Sequence, residues 1–440
     1  MLLIFSLFFY AYGGPPFLLL MLISITMNYL FGLLVVSANP RRCKAFMILS
    51  VVFNLGLLAW FKYAVFAAVN LNALGVLIPI PEITLPIGIS FFTFQGMSYV
   101  LDVYRKDAPS QRNPLRVALY ISLFPQLVAG PIVRYTTVEN EIQNRKETLE
   151  EFSKGSIRFL FGLAKKMLLA NALGQIADGA FGMPIPQLST AVAWVGVIAY
   201  TGQIYFDFSA YSDMAIGLGH MFGFRFLENF NYPYIATSIT DFWRRWHISL
   251  SSWFRDYVYI PLGGNRGGTC KHIRNLLIVW MLTGFWHGAA WTFLCWGLYY
   301  AVLLIGERYL WGKSLARLPA AFKHLYTMFF VVLGWGLFRS VDISYAIGLL
   351  GALFGLGQSG LGSGQAVFYL LQYRWELIIA VIAALPVKRV LENWLEAHQE
   401  HQLAQVALAW GPPVLALSLG ALSVLTLVSS TFNPFIYFRF

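Results

Sequence analysis

Charge is scarce in this chain. Only 12% of its 440 residues are Asp, Glu, Lys or Arg, and 58% are hydrophobic, against about 25% charged in an ordinary soluble domain. Together with a mean hydropathy of +0.63, this excludes a soluble globular or a disordered chain. Cysteine is nearly missing. Cys43, Cys270 and Cys295 form no CxxC pair, which excludes a disulfide framework and a cysteine-rich zinc site. Cys270 and His272 are close in sequence, but two ligands do not complete a tetrahedral site; no bound metal is expected. The alternating segments of about ten residues that mark a membrane β-barrel are also lacking. The first apolar run, MLLIFSLFFYAYGGPPF, has no basic n-region or A-x-A cleavage site and reads as a first membrane segment.

What is present is a succession of apolar runs. They fall near residues 1–12, 15–38, 44–69, 85–103, 115–133, 156–183, 189–219, 275–288, 290–311, 323–340, 343–357, 366–386 and 407–430. Many approach the roughly 20 residues needed to cross a bilayer. The expected fold is an all-α, polytopic integral membrane protein, with about ten to twelve crossings plus re-entrant or interfacial pieces. No repeat or soluble domain interrupts it, so residues 1–440 are expected to form a single membrane domain, with a catalytic core at about 85–300. Breakers recur at Leu85-Pro86-Ile87-Gly88, Phe124-Pro125, Gly130-Pro131 and Pro261-Leu262-Gly263-Gly264-Asn265. Non-helical backbone survives at membrane depth only inside protein or beside water, so a central polar funnel is expected.

The connections are more hydrophilic. Residues 139–154, ENEIQNRKETLEEFSK, read as a charged helical surface element, and residues 357–364, GQSGLGSG, as a flexible loop. Residues 392–405, ENWLEAHQEHQLAQ, resemble an amphipathic interfacial helix. His398 and His401 lie there at i, i+3 spacing with no third ligand near, so a solvated face is the plainer reading. The net charge of +11, from 31 Lys plus Arg against 20 Asp plus Glu, fits cytoplasmic loops and anionic headgroups. Membrane lipids are the expected partners, and nucleic acid is not.

Polar residues concentrate in one stretch, SITDFWRRWHISLSSWFRDYVYIPLGGNRGG, followed by GFWHGAAWTFLCW. Read as one helix, residues 237–257 carry Trp243, Trp246, Leu250, Trp253 and Tyr257 as a stripe, with Asp241, Arg244, Arg245, Ser252 and Arg255 opposite. A helix lying at the headgroup level accounts for most of these residues, but less well for His247 at the border. His287 stands inside an apolar run, about 16 Å along it from Leu276. An ionisable group in a membrane segment is a functional candidate by default. A histidine satisfied by a neighbouring helix explains it equally well on spacing alone.

A neutral imidazole suits general-base work. It can take a proton from an alcohol attacking a thioester or ester carbonyl. His247, tryptophan N–H groups such as those of Trp243 and Trp286, or Asn265 are candidate donors to the oxyanion. Arg244, Arg245, Asp207 and Asp213 are further polar candidates for the substrate path, the two aspartates with a structural or polar-cavity role. A Cys295 nucleophile, two helical turns from His287, is too far to share a proton with it.

These motifs, with FKYAVF, LPIGISFFTFQGMSYVLDVYR, LFPQLVAGPIVRY, YFDFSAYSDMAIGLGHMFGFRFLENFNYPY and the terminal NPFIYFRF, resemble the membrane-bound O-acyltransferase family, closest to its alginate O-acetyltransferase branch. The likeness covers nearly the whole chain, with the motifs in the same order. It implies a buried catalytic histidine at the floor of a funnel, which falls on His287, and a second polar position, which falls on His247. It also implies a multi-pass protein of the bacterial cytoplasmic membrane. Acetyl-CoA would be the acyl donor, with no tightly bound cofactor, an extracytoplasmic glycan the acceptor, and a separate extracytoplasmic acetyltransferase a frequent partner. A sister branch carries D-alanine toward teichoic acid; PLGGNRGG fits the acetyl branch better. One departure is that members usually start with a further hydrophobic helix ahead of LLIFSLFFYAYGGPPF.

Two other functions remain open on the sequence alone. One is transfer of D-alanine or another short acyl group. The other is a non-enzymatic transporter of a glycan or acyl carrier, since broken helices also mark transporters, although no internal repeat supports it.

Overall fold

A computed structural model describes residues 1–128, 130–357, 359–429, 434 and 435. Gln358 of the expected loop and most of the terminal NPFIYFRF lie outside the described residues. All regular secondary structure among the described residues is helical. Four helices, Pro15–Leu34, Pro40–Ala73, Ala320–Arg339 and Gln402–Ser429, are each long and apolar enough to cross a bilayer; the pair Gly364–Gln372 and Arg374–Ala384, bent by 67°, makes a fifth candidate span. The other apolar runs of the sequence are divided among shorter or more polar helices. The chain is therefore a polytopic helical membrane protein.

The described chain forms two compact units, residues 1–156 with 215–227 and residues 157–214 with 228–440. In the first, the Ile89–Arg105 helix is buried along nearly its whole length, with Phe92, Tyr99 and Val100 fully enclosed. It starts at Gly88, whose φ of +74° and contact with the Leu127 carbonyl leave no room for a Cβ. The breaks expected at Leu85-Pro86-Ile87-Gly88, Phe124-Pro125 and Gly130-Pro131 are all present. Asn28 and Asn54 exchange amide hydrogen bonds of 3.1 and 2.8 Å between two spans, the polar pairing that apolar surroundings favour between helices.

The second unit holds all the candidate site residues. Its frame is the hairpin of Thr269–His287 and Trp291–Tyr309. The two helices touch at Gly284 and Gly297, where a Cβ on either would run into the facing backbone. Small residues at such a crossing let helices approach closely.

One expectation fails here. Residues 237–257 are not a single helix but two short ones, Ile239–Arg245 and Ile248–Phe254, followed by a π-helical turn Arg255–Tyr259. The break falls at Trp246 and at His247, which takes left-handed φ +44° and ψ +53°, an uncommon conformation for a non-glycine residue. Asn229 is the cause. Its carbonyl accepts from Ile248 N–H at 3.0 Å, and its side-chain Oδ1 from Ser249 N–H at 3.2 Å. A continuous helix would send those two donors to residues 244 and 245. The Arg245 carbonyl accepts from Asn231 N–H instead, at 2.9 Å. Trp243, Trp246, Leu250 and Trp253 are consequently buried in protein, not spread along a headgroup-facing stripe.

Near the C-terminus the amphipathic helix is Val387–Ala397. It ends before His398 and His401, which occupy the following turn, and no group of three metal-ligating side chains occurs among the described residues.

Candidate active site

His287 is the last residue of the Thr269–His287 helix, and Gly288 takes extended φ −169° and ψ +156° immediately after it. The imidazole therefore sits at the tip of the hairpin, not within a continuous helix. It is 8% exposed. Three rings meet it edge-to-face: Trp286 at 5.1 Å, Trp296 at 5.2 Å and Phe338 at 5.3 Å between centroids. Such edge-to-face contacts are the preferred aromatic arrangement and fix the ring without charge.

His247 is fully enclosed, at 1% exposure. Its Nδ1 lies 3.1 Å from Asn229 Oδ1, and its ring packs against Phe208 at 4.6 Å and Trp286 at 6.0 Å. Trp286 thus packs against both imidazoles. The segment carrying His247 is itself pinned from the hairpin. Glu307 Oε1 accepts from Ile239 N–H at 2.6 Å and Oε2 from Thr240 N–H at 3.0 Å, while Ser238 Oγ accepts from Asp241 N–H at 2.9 Å. These carboxylate and hydroxyl oxygens satisfy the orphan N–H groups of the helix start.

Trp243 stands among Trp280, Trp296 and Tyr300, with centroids 4.6, 5.6 and 4.9 Å away. The Trp243 and Trp296 Nε1 donors and the Tyr300 hydroxyl are buried with no hydrogen-bond partner among the described residues. Buried donors normally find partners; the idle Trp296 donor against His287, with those of Trp243 and Tyr300 packed on Trp296, is suited to a polar guest.

The remaining candidates are not gathered around this pair of histidines. Arg244 is exposed, and Arg245 is engaged with Asp241 at 2.9 Å. Asn265 is exposed in the turn before the hairpin. Asp207 is paired with Lys166 at 2.5 Å, and Lys166 also donates to the Pro434 carbonyl at 3.1 Å. Asp213 binds Arg158 at 2.8 Å and Lys165 at 2.6 Å. Cys295 lies half-buried about one turn along the second hairpin helix, past the break that separates that helix from His287. Sequence reasoning missed Asn229, Trp296, Phe338 and Glu307. Of these only Glu307, an acid inside the apolar run LLIGERYLW, carries a signal that could have singled it out.

Two buried histidines each packed against Trp286, in a polytopic helical protein, make up the candidate site. Residues 43–338 match the model of the membrane-bound O-acyltransferase family. The chain is 41% identical over 469 aligned residues to the probable alginate O-acetylase AlgI of Azotobacter vinelandii, covering 99% of this chain and 93% of that protein. It is 33% identical to the peptidoglycan O-acetyltransferase of Helicobacter pylori, over 99% of this chain and 90% of that one. With the teichoic acid D-alanyltransferase of Bacillus subtilis it shares 32% identity over 53% of this chain and 62% of the relative. The chain belongs to the membrane-bound O-acyltransferase family, and it is an O-acyltransferase.

Proposed function

We propose that this protein transfers an acetyl group to hydroxyls of an extracytoplasmic polysaccharide, drawing it from acetyl-CoA across the bacterial cytoplasmic membrane, with His287 as the base. The observation that carries the reading is the placement of His287: a buried imidazole at a hairpin tip, walled by Trp286, Trp296 and Phe338. End-to-end similarity to acetylating relatives supports acetyl, whereas the D-alanylating relative aligns with about half the chain.

In this reading His287 takes the proton of a glycan hydroxyl as its oxygen attacks the thioester carbonyl carbon. The tetrahedral intermediate carries its negative charge on the former carbonyl oxygen, where the Trp296 or Trp243 N–H can donate. Collapse breaks the carbon–sulfur bond, and the imidazolium returns the proton to the leaving thiolate. The products are the O-acetyl ester and free thiol. A positioned base of this kind contributes about 10²–10⁴-fold. Where a separate extracytoplasmic acetyltransferase is the partner, a hydroxyl of that protein takes the place of the glycan hydroxyl as the attacking group, and the same proton transfers apply. The chemistry is confined to residues of the second unit.

The test uses the full chain in lipid vesicles supplied with acetyl-labelled acetyl-CoA on one face and an oligosaccharide on the other. The reading predicts that label leaves CoA and appears as ester on the sugar. Intact thioester after prolonged incubation with a natively folded protein and a competent acceptor contradicts it.

A further inference from the structure

Asn229 does more than break a helix. Its Oδ1 accepts from three donors or potential donors: Ser249 N–H at 3.2 Å, Ser249 Oγ at 2.9 Å and His247 Nδ1 at 3.1 Å. A backbone N–H can only donate, so the atom facing it is the amide oxygen, and the orientation of the side chain is settled. The other end agrees, since Nδ2 donates to Ser212 Oγ at 3.2 Å. An amide oxygen can only accept. His247 must therefore carry its proton on Nδ1.

The consequence falls on the opposite ring nitrogen. Nε2 of His247 is buried and has no hydrogen-bond partner among the described residues. In the Nδ1–H tautomer it is a lone pair. In a charged ring it would be an N–H donor with nothing to receive it, in a place where an unpaired charge is costly. A neutral ring whose second nitrogen sets the tautomer is the arrangement by which proteins aim an imidazole at a reactant. The left-handed backbone at His247 is a sparsely populated conformation that surrounding contacts must hold, and Asn229 supplies both main-chain and side-chain contacts.

We propose that Asn229 is a positioning residue of the transfer site, fixing His247 as the Nδ1–H tautomer so that Nε2 accepts a hydrogen bond from an O–H or N–H of the substrates. Its chemistry rests on the acyl-transfer reading; the tautomer does not. His247 then serves as an acceptor that orients an incoming hydroxyl or amide, and the oxyanion is left to the tryptophan donors. The ligand chemistry is a neutral hydrogen-bond donor, available either from the glycan hydroxyl or from an amide N–H of the thioester's pantetheine arm.

The experiment is nitrogen-15 spectroscopy of the full chain, ring-labelled at histidine and reconstituted in lipid, with the His247 signal identified by its loss in His247→Gln. Protonated and lone-pair ring nitrogens are distinguishable, and coupling to the ring protons tells Nδ1 from Nε2. The expected spectrum has the proton on Nδ1 and a lone pair on Nε2; an Nε2–H or doubly protonated ring overturns the proposal. The wild-type spectrum decides this even if Asn229→Leu does not fold. Where that variant folds, the Nδ1–H signature is expected to weaken, with kcat/KM falling about 10- to 100-fold, the range of one lost hydrogen bond to a buried group. A higher KM for the sugar assigns the contact to the hydroxyl, and a higher KM for the thioester assigns it to the amide. Unchanged kinetics in both substrates overturn the proposal. Thioester left intact by the folded wild-type protein would remove the acyl-transfer reading and leave the tautomer standing, so the two failures are distinct.

Discussion

Lys165 and Lys166 are adjacent in sequence and fare differently in the fold. Lys166 is enclosed with Asp207, the two side chains 6% and 3% exposed, whereas Lys165 is 29% exposed and shares Asp213 with Arg158. Removing one partner of a buried pair strands the other charge and costs about 3–5 kcal/mol; removing a partly solvated cation beside a second one costs far less. Lys166→Met is therefore expected to lower the thermal unfolding midpoint in detergent strongly, and Lys165→Met only slightly. Equal drops would contradict this partition. Which residues were legible follows the same logic. His287 stood out because an imidazole in an apolar run is chemically conspicuous. Asn229 did not, because an Asn in NFNYPY reads as local turn chemistry, and its role comes from a partner 18 residues away. Asp207 and Asp213 were visible as charges, but only the fold shows that lysines and an arginine meet them.

At the level of elements, the site depends on how closely two helices can cross. At Gly284 a Cβ would strike the Phe293 carbonyl oxygen and lie 3.2 Å from the Gly297 Cα. Backbone on a packed helix cannot step aside as a flexible side chain can. Gly284→Val is expected to push Trp296 away from His287 and abolish transfer, with lower folded yield on gel filtration. Gly411→Ala, at a helical glycine with no neighbour within 4 Å of an added Cβ, serves as a tolerated control. Wild-type activity in Gly284→Val would show that the crossing is not what sets the aromatic wall. The apolar runs gave most helices their positions, because length and hydropathy are local properties. The break at His247 was hidden, since the N–H groups of Ile248 and Ser249 are diverted by Asn229, a non-local competitor. The aromatic stripe of residues 243–257 had the periodicity of an interfacial helix, and periodicity alone cannot tell a lipid-facing side from one buried in protein.

For the molecule as a whole, composition already decided the solvent: a chain so poor in charge cannot be covered by water, and its exposed surface is rich in large apolar side chains. A membrane fold explains why so much chemistry is invested in a few polar residues, since each must be enclosed by partners or substrate. Membership of the O-acyltransferase family and end-to-end similarity to acetylating relatives give that investment a reaction. In the proposed reaction His287 acts on the hydroxyl that receives the acyl group. The most direct measurement is the ester-linked acetate on envelope or secreted glycans from cells whose only copy carries His287→Ala, with the variant's amount and gel-filtration profile in the membrane fraction matched to wild type. Acetate is expected at the level of cells lacking the protein; acetate at the wild-type level would mean that His287 is not the base.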